Sequence, residues 1–231
     1  MSASLLVDLT PLKKHRNYRL LFSAQIISYF GTSLTQVAVP YQLHALTHST
    51  AQVGYMGIFQ IIPLTVGAIL GGKLADREDR RQMILQFELI LALLMGSLAL
   101  LTARGGATTT LLYIFVACSS LFTGLHRPSL DALGPQLVPR EEYLSMSALN
   151  GFRYTFAALI GPSLAAWLIT SFPLQWIYVI DGCSYLISIF WIFQIRSPKL
   201  TIRGDHKELS WKEGFERAWK TPLLLGTYLV D

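Results

Sequence analysis

Five ionisable side chains stand inside long apolar runs of this sequence: Glu88, Arg127, Asp131, Arg153 and Asp181. A charge at membrane depth costs several kcal/mol, so each one requires a partner or a function. Arg153 lies ten residues into its apolar run, about 15 Å along a helix, and borders the small residues Ala157 and Gly161. It is therefore expected to face protein and to serve as a substrate or carboxylate partner in a cavity. Arg127 and Asp131 are four apart, on one helix face, with Pro128 between them. That spacing predicts a local ion pair, and both residues are also candidates, with Arg153 and Asp181, for a substrate or proton cavity. Asp181 is a candidate proton carrier, with a plain structural partner as the alternative. Glu88, near the end of its run, is expected to reach the interface. His44 and His48 flank a turn and read as interfacial polar residues. No Ser/His/Asp set, HExxH site or phosphate-cradling glycine loop is present, so an enzyme is not expected. No metal or cofactor motif is present either.

The elements that carry these residues follow from composition. Hydrophobic residues make up 52% of the 231 and charged residues 14%, with mean hydropathy +0.43. Soluble chains spend about a quarter of their residues on charge. No Lys, Arg, Asp or Glu occurs between Arg19 and Lys73, from Tyr154 to Ile180, or from Gly182 to Ile195. A helical crossing needs about 20 apolar residues, so these runs are long enough to span a bilayer. Six spans are predicted near 20–45, 53–74, 83–103, 108–135, 143–170 and 175–195. The expectation is an all-α membrane protein with a six-helix bundle over 1–195. A cytoplasmic linker follows over 196–220, in which Ser210-Trp211-Lys212-Glu213 has capping-box spacing and is expected to open an amphipathic helix, with a loosely ordered loop as the alternative. Residues 221–231 read as the start of a seventh span, from Pro222 to Asp231. Cys118 and Cys183 fall inside spans and are expected to be small buried fillers.

Basic residues set the expected orientation, since Lys and Arg resist translocation. With a cytoplasmic N-terminus, sixteen of the 19 Lys and Arg residues fall on that side and only Arg104 on the other, Arg127 and Arg153 lying within spans. The net charge of +5 flanks apolar runs and forms no patch with interleaved aromatics, which argues against nucleic acid. The expected partner is the lipid bilayer, and the expected location a bacterial inner membrane crossed several times.

Between the second and third spans stands Gly72-Lys73-Leu74-Ala75-Asp76-Arg77-Glu78-Asp79-Arg80-Arg81. Topology alone explains the arginines, but not Asp76 or its spacing from Gly72. The stretch resembles the signature loop of the major facilitator superfamily, Gly-x-Leu-Ala-Asp-Arg-x-Gly-Arg-Arg/Lys. By that resemblance Gly72, Asp76, Arg77, Arg80 and Arg81 form a conformational switch, a charge network that closes the cytoplasmic side. Asp79 replaces the usual glycine, and a left-handed turn there is one that Asp tolerates. Gly161-Pro162 in the fifth span is similar to the Gly-Pro motif of facilitator exporters. Independently of family, Ala157, Gly161 and Ala165 recur every four residues, and Gly67 and Gly71 do so in the second span. Both stripes permit close helix approach, and both are expected to meet a second bundle, with Pro162 bending the fifth helix there.

Asp8-Leu9, Leu12-Lys13, Ala38-Val39-Pro40, Thr47-His48-Ser49-Thr50 and Gln52-Val53-Gly54 resemble the enterobactin exporter-like group of that superfamily. The resemblance spans essentially the whole chain. It implies the N-terminal half of a twelve-helix fold whose partner is a C-terminal six-helix half. It also implies proton-driven efflux of amphipathic small molecules such as siderophores or macrolides. A half-length, non-transporting scaffold or assembly partner is the alternative.

Overall fold

The computed structural model describes residues 8–196. The linker helix near Ser210 and the seventh span from Pro222 lie outside the described residues. A short helix α1 (Thr10–Lys14) leads into α2 (Arg16–Thr47), α3 (Thr50–Arg77) and α4 (Arg80–Ala103). Then come α5 (Thr109–Leu133), α6 (Tyr143–Ser171) and α7 (Gln175–Phe193), with two 3-10 turns between α5 and α6. Among the described residues there is no strand. Helices α2 to α7 follow one another through short turns, so all the loops carrying most of the charge gather at one end, the basic end. Several contacts close that end: Asn17 Nδ2 donates to the Arg196 carbonyl at 3.4 Å, and His15 Nε2 lies 3.0 Å from Glu142 Oε2. Asp8 accepts from the Ser145 hydroxyl at 2.7 Å and from Thr10. Those hydroxyls hold the Asp8 carboxyl below its usual range.

Five helices, α3 to α7, are long and apolar enough to cross a membrane. The remaining long helix, α2, has 32 residues and is more polar, because its polar side chains face its neighbours. Gln42 donates to Thr102 of α4 at 3.0 Å and accepts from the Tyr178 hydroxyl of α7 at 2.7 Å. Thr32 shares a 2.9 Å bond with Tyr185 of α7. With water absent, such groups must find partners inside the bundle, as Gln42 and Thr32 do. Helix α2 packs on both α6 and α7, while α3 packs on α5 and α4 on α7. Leu34, Leu43, Leu91, Leu98, Leu112 and Ile177 are almost wholly buried between these helices.

The small-residue stripes, from which contact with a second bundle is expected, already have partners. They are used inside this bundle. A Cβ on Gly71 would sit 2.6 Å from the Leu125 carbonyl oxygen of α5, and one on Gly67 would collide with the Leu121 carbonyl. Gly161 is in the same position against Ser33 of α2, and Ala157 and Ala165 are buried. Pro162 itself is exposed, and α6 remains one continuous helix. The cysteines also depart from expectation: Cys118 is only partly buried and Cys183 is exposed, and neither is in a disulfide.

Candidate functional site

Helix α3 continues to Arg77, so most of the 72–81 stretch is helical and only Glu78 and Asp79 turn the chain. Asp79 is not in a left-handed conformation: its φ is −66°. It is the N-cap of α4, where its Oδ1 accepts from the Arg81 and Gln82 amides at 2.9 and 3.2 Å. Such a cap is worth about 1 kcal/mol, which gives aspartate a reason to stand where the family places glycine. Arg80 donates through Nε to the Ala75 carbonyl and through Nη1 to the Ala132 carbonyl, both at 3.1 Å. Arg81 donates to the Ile192 and Phe193 carbonyls at 3.1 and 2.6 Å and stacks over the Phe193 ring. The two arginines thus add side-chain donors to carbonyls at the basic ends of α5 and α7, where the regular helical ladder runs out. Asp76 is exposed, and among the described residues its carboxylate makes no hydrogen bond or ion pair. A Cβ on Gly72 would meet nothing within 4 Å.

Arg153 is buried at 7% exposure on the α2-facing side of α6. Its guanidinium carbon lies 4.8 Å from the centre of the Tyr29 ring, a cation–π contact. Its Nε and Nη1 have no hydrogen-bond partner. It borders a cavity of about 210 Å³ with Tyr18, Gln25, Asp131 and Asn150. Arg127 does not pair with Asp131, contrary to the spacing argument. It donates instead to the Tyr154 hydroxyl of α6 at 2.9 Å, and Tyr154 packs 5.3 Å from Tyr29. Proline at 128 lies between the two residues, and both are exposed. In an exposed position a single-turn ion pair is worth only a few tenths of a kcal/mol, so an aromatic partner that both bonds and stacks can displace it. Two arginines, two tyrosines and one aspartate from α2, α5 and α6 therefore gather at one place. Tyr29 and Tyr154 have no signal in sequence that would single them out, since tyrosine in a membrane span is common.

Asp181 does not join this group. It is fully buried on α7 against Gly31 of α2, where Ser184 donates to it at 3.4 Å and its Oδ2 has no partner. Glu88 does not reach the interface either. It is fully buried, with Ser188 of α7 donating to it at 2.8 Å and His126 Nε2 of α5 lying 3.5 Å away. His44 and His48 are exposed at the end opposite the basic one.

A family model described as Major Facilitator Superfamily matches residues 21–230. The chain belongs to the Major Facilitator Superfamily. It is a multi-pass membrane protein with the six long helices expected of one half of the facilitator fold. It is 28% identical over 228 residues to the Enterobactin exporter EntS of Shigella boydii serotype 18 (strain CDC 3083-94 / BS512), over 98% of this chain and 55% of the relative. EntS of Escherichia coli O1:K1 / APEC matches with the same identity and the same coverage. The chain spans about half the length of these curated facilitator relatives. No solved structure matches it significantly.

Proposed function

We propose that this chain is the N-terminal half of a secondary active exporter of amphipathic small molecules, driven by protons and working by alternating access. It lies in a bacterial inner membrane with its N-terminus in the cytoplasm. Family membership and the similarity to an enterobactin exporter support the reading. The observation that carries it is Arg153: a cation inside the bundle, facing a cavity, with two guanidinium nitrogens, Nε and Nη1, that no described residue hydrogen-bonds. In a medium this apolar an unsatisfied guanidinium edge is costly, and a carboxylate, phenolate or carbonyl of a substrate is what would satisfy it. Tyr29 and Tyr154 then offer aromatic faces to the apolar part of the same molecule.

Transport kinetics of the complete protein test the assignment. Arg153→Ala should raise KM more than about tenfold, because truncating one side of a buried charge contact costs about 2–5 kcal/mol. Arg153→Lys should keep part of the affinity, since the charge remains and the planar fork is lost. Equal and mild effects would return Arg153 to a structural role.

Asp76 is the candidate switch residue, with Gly72, Arg77, Arg80 and Arg81. With Arg80 and Arg81 engaged on carbonyls, Asp76 is left to meet a cation of the second bundle in one of the two transport states. A contact of 1–2 kcal/mol made in one state shifts the balance by about 5–30-fold. Asp76→Asn should therefore cut export several-fold at normal expression, and wild-type export by this variant would make the loop a topology signal only.

Orientation is tested by cysteine labelling in intact cells after removal of Cys118 and Cys183. Gly106 is the better position in the α4–α5 turn, because Gly105 has a φ of +67° that a side chain would strain. Gly106→Cys should react with an impermeant reagent from outside, whereas labelling confined to inverted vesicles would reverse the topology.

A further inference from the structure

Glu88 stands eight residues into α4, about 12 Å from the basic end at the helical rise. It is fully buried, and three helices meet at its carboxylate. Its Oε1 accepts from the Ser188 hydroxyl of α7 at 2.8 Å and lies 3.5 Å from His126 Nε2 of α5. Its Oε2 has no hydrogen-bond partner, and Nε2 of the buried His126 makes no well-formed hydrogen bond. We propose that Glu88 and His126 form a proton-binding pair in the interior of the bundle, which α5 links to the arginine cavity.

The charge count favours this. A carboxylate beside a neutral imidazole leaves a net charge of −1 in an apolar interior, which is expensive. Uptake of one proton on His126 Nε2 makes the pair an imidazolium beside a carboxylate, with no net charge. Imidazole is also the side chain whose charge ordinarily changes near neutral pH.

On α7, Tyr185 bonds Thr32 of α2, and Asp181 is held by Ser184 against Gly31. On α2, Tyr29 is engaged with Arg153 and Tyr154. The cations of α4 itself, Arg80 and Arg81, are held on carbonyls at the basic end. Among the described residues, His126 is the one group within ion-pair distance of Glu88 that can carry positive charge. Arg127 follows His126 directly on α5 and bonds α6, and Asp131 one turn later borders the cavity. A change in how firmly the pair clamps α5 to α4 and α7 is thus carried by α5 to the cavity. Use of the proton in export rests on the exporter reading above, whereas its binding does not.

A substrate-free measurement keeps the two apart: nitrogen NMR of histidine-labelled protein in lipid nanodiscs, with His126→Asn identifying the signal. In the wild type, the His126 signal should convert to the doubly protonated form as the pH falls from about 9 to about 5. Glu88→Gln should require at least about tenfold more protons for the same conversion, because the neighbouring negative charge is gone. Ser188→Ala should require fewer, since the carboxylate loses a donor that stabilises its charge. A variant that merely unfolds would expose His126 to water, and both variants would then move to one common position. Conversion absent across the range, or no displacement in opposite directions by the two variants, overturns the pair as a proton site.

Discussion

Gly124→Leu is expected to leave almost no folded protein in the membrane, and Gly124→Ala to lower its stability by about 1–3 kcal/mol, the usual cost of overpacking a tight interior. Gly124 of α5 faces the groove between Gly67 and Gly71 of α3. A Cβ there would fall 2.8 Å from the Ala68 nitrogen and 3.0 Å from the Gly67 carbonyl carbon, and would collide with the Leu64 carbonyl oxygen. These are backbone atoms, so no rotamer change relieves the clash, and α3 and α5 must separate. Helix association in a bilayer rests on such close packing, and α3 is the least buried of the spans, with α5 as its main support. Gly57→Ala on the same α3 is the control. Nothing lies within 4 Å of its Cβ position, and alanine is better than glycine in a helix by about 1 kcal/mol. Unfolding in detergent titrations should move in opposite directions for the two alanine variants. A Gly124→Ala protein as stable as wild type would mean that the α3–α5 contact is looser than described.

What could be read from the sequence divides along physical lines. Span positions follow from hydropathy, because a bilayer leaves a helix no alternative to continuous apolar length. Helix α2 shows where that signal weakens: Gln42 and Thr32 lower its hydropathy, yet they bond Thr102, Tyr178 and Tyr185 of helices distant in sequence. The loop motif is legible because its residues are contiguous. The function of Asp79 within it was not, since a helix cap and a left-handed turn use the same residue types and only the dihedral separates them. Gly67, Gly71 and Gly161 announce close contact but not with what. Their partners, Gly124 and Ser33, lie two and four helices away in the chain. The same limit hides the surroundings of Arg153 and Glu88. Tyr29, His126 and Ser188 become neighbours only when α2, α5 and α7 pack.

The second large effect concerns the 231-residue chain by itself, which is expected not to transport. A facilitator works by rocking one bundle against another around a site at their interface. Here α3 and α6 each present an unpaired flank, with Ile61, Ile62 and Tyr55 on one and Phe152, Leu159 and Trp167 on the other, all more than half exposed. Lipid can cover such apolar flanks, so insertion of the six helices should survive. Lipid tails cannot replace a partner for the Asp76 carboxylate, nor for the unpaired nitrogens of Arg153. Alternation between two access states then has nothing to act against.

Proteoliposome transport decides the matter. Purified chain alone, and the same chain joined to a C-terminal six-helix half, would be given an inward or outward proton gradient and a panel of siderophores and macrolides. The expected result is saturable, gradient-dependent movement of at least one compound by the two-bundle protein, lost in its Arg153→Ala variant, and no movement by the chain alone. Saturable, gradient-dependent transport by the chain alone would contradict the half-transporter reading and point to a homodimer that rebuilds both bundles. A two-bundle protein that binds these compounds and moves none of them would contradict the export function itself.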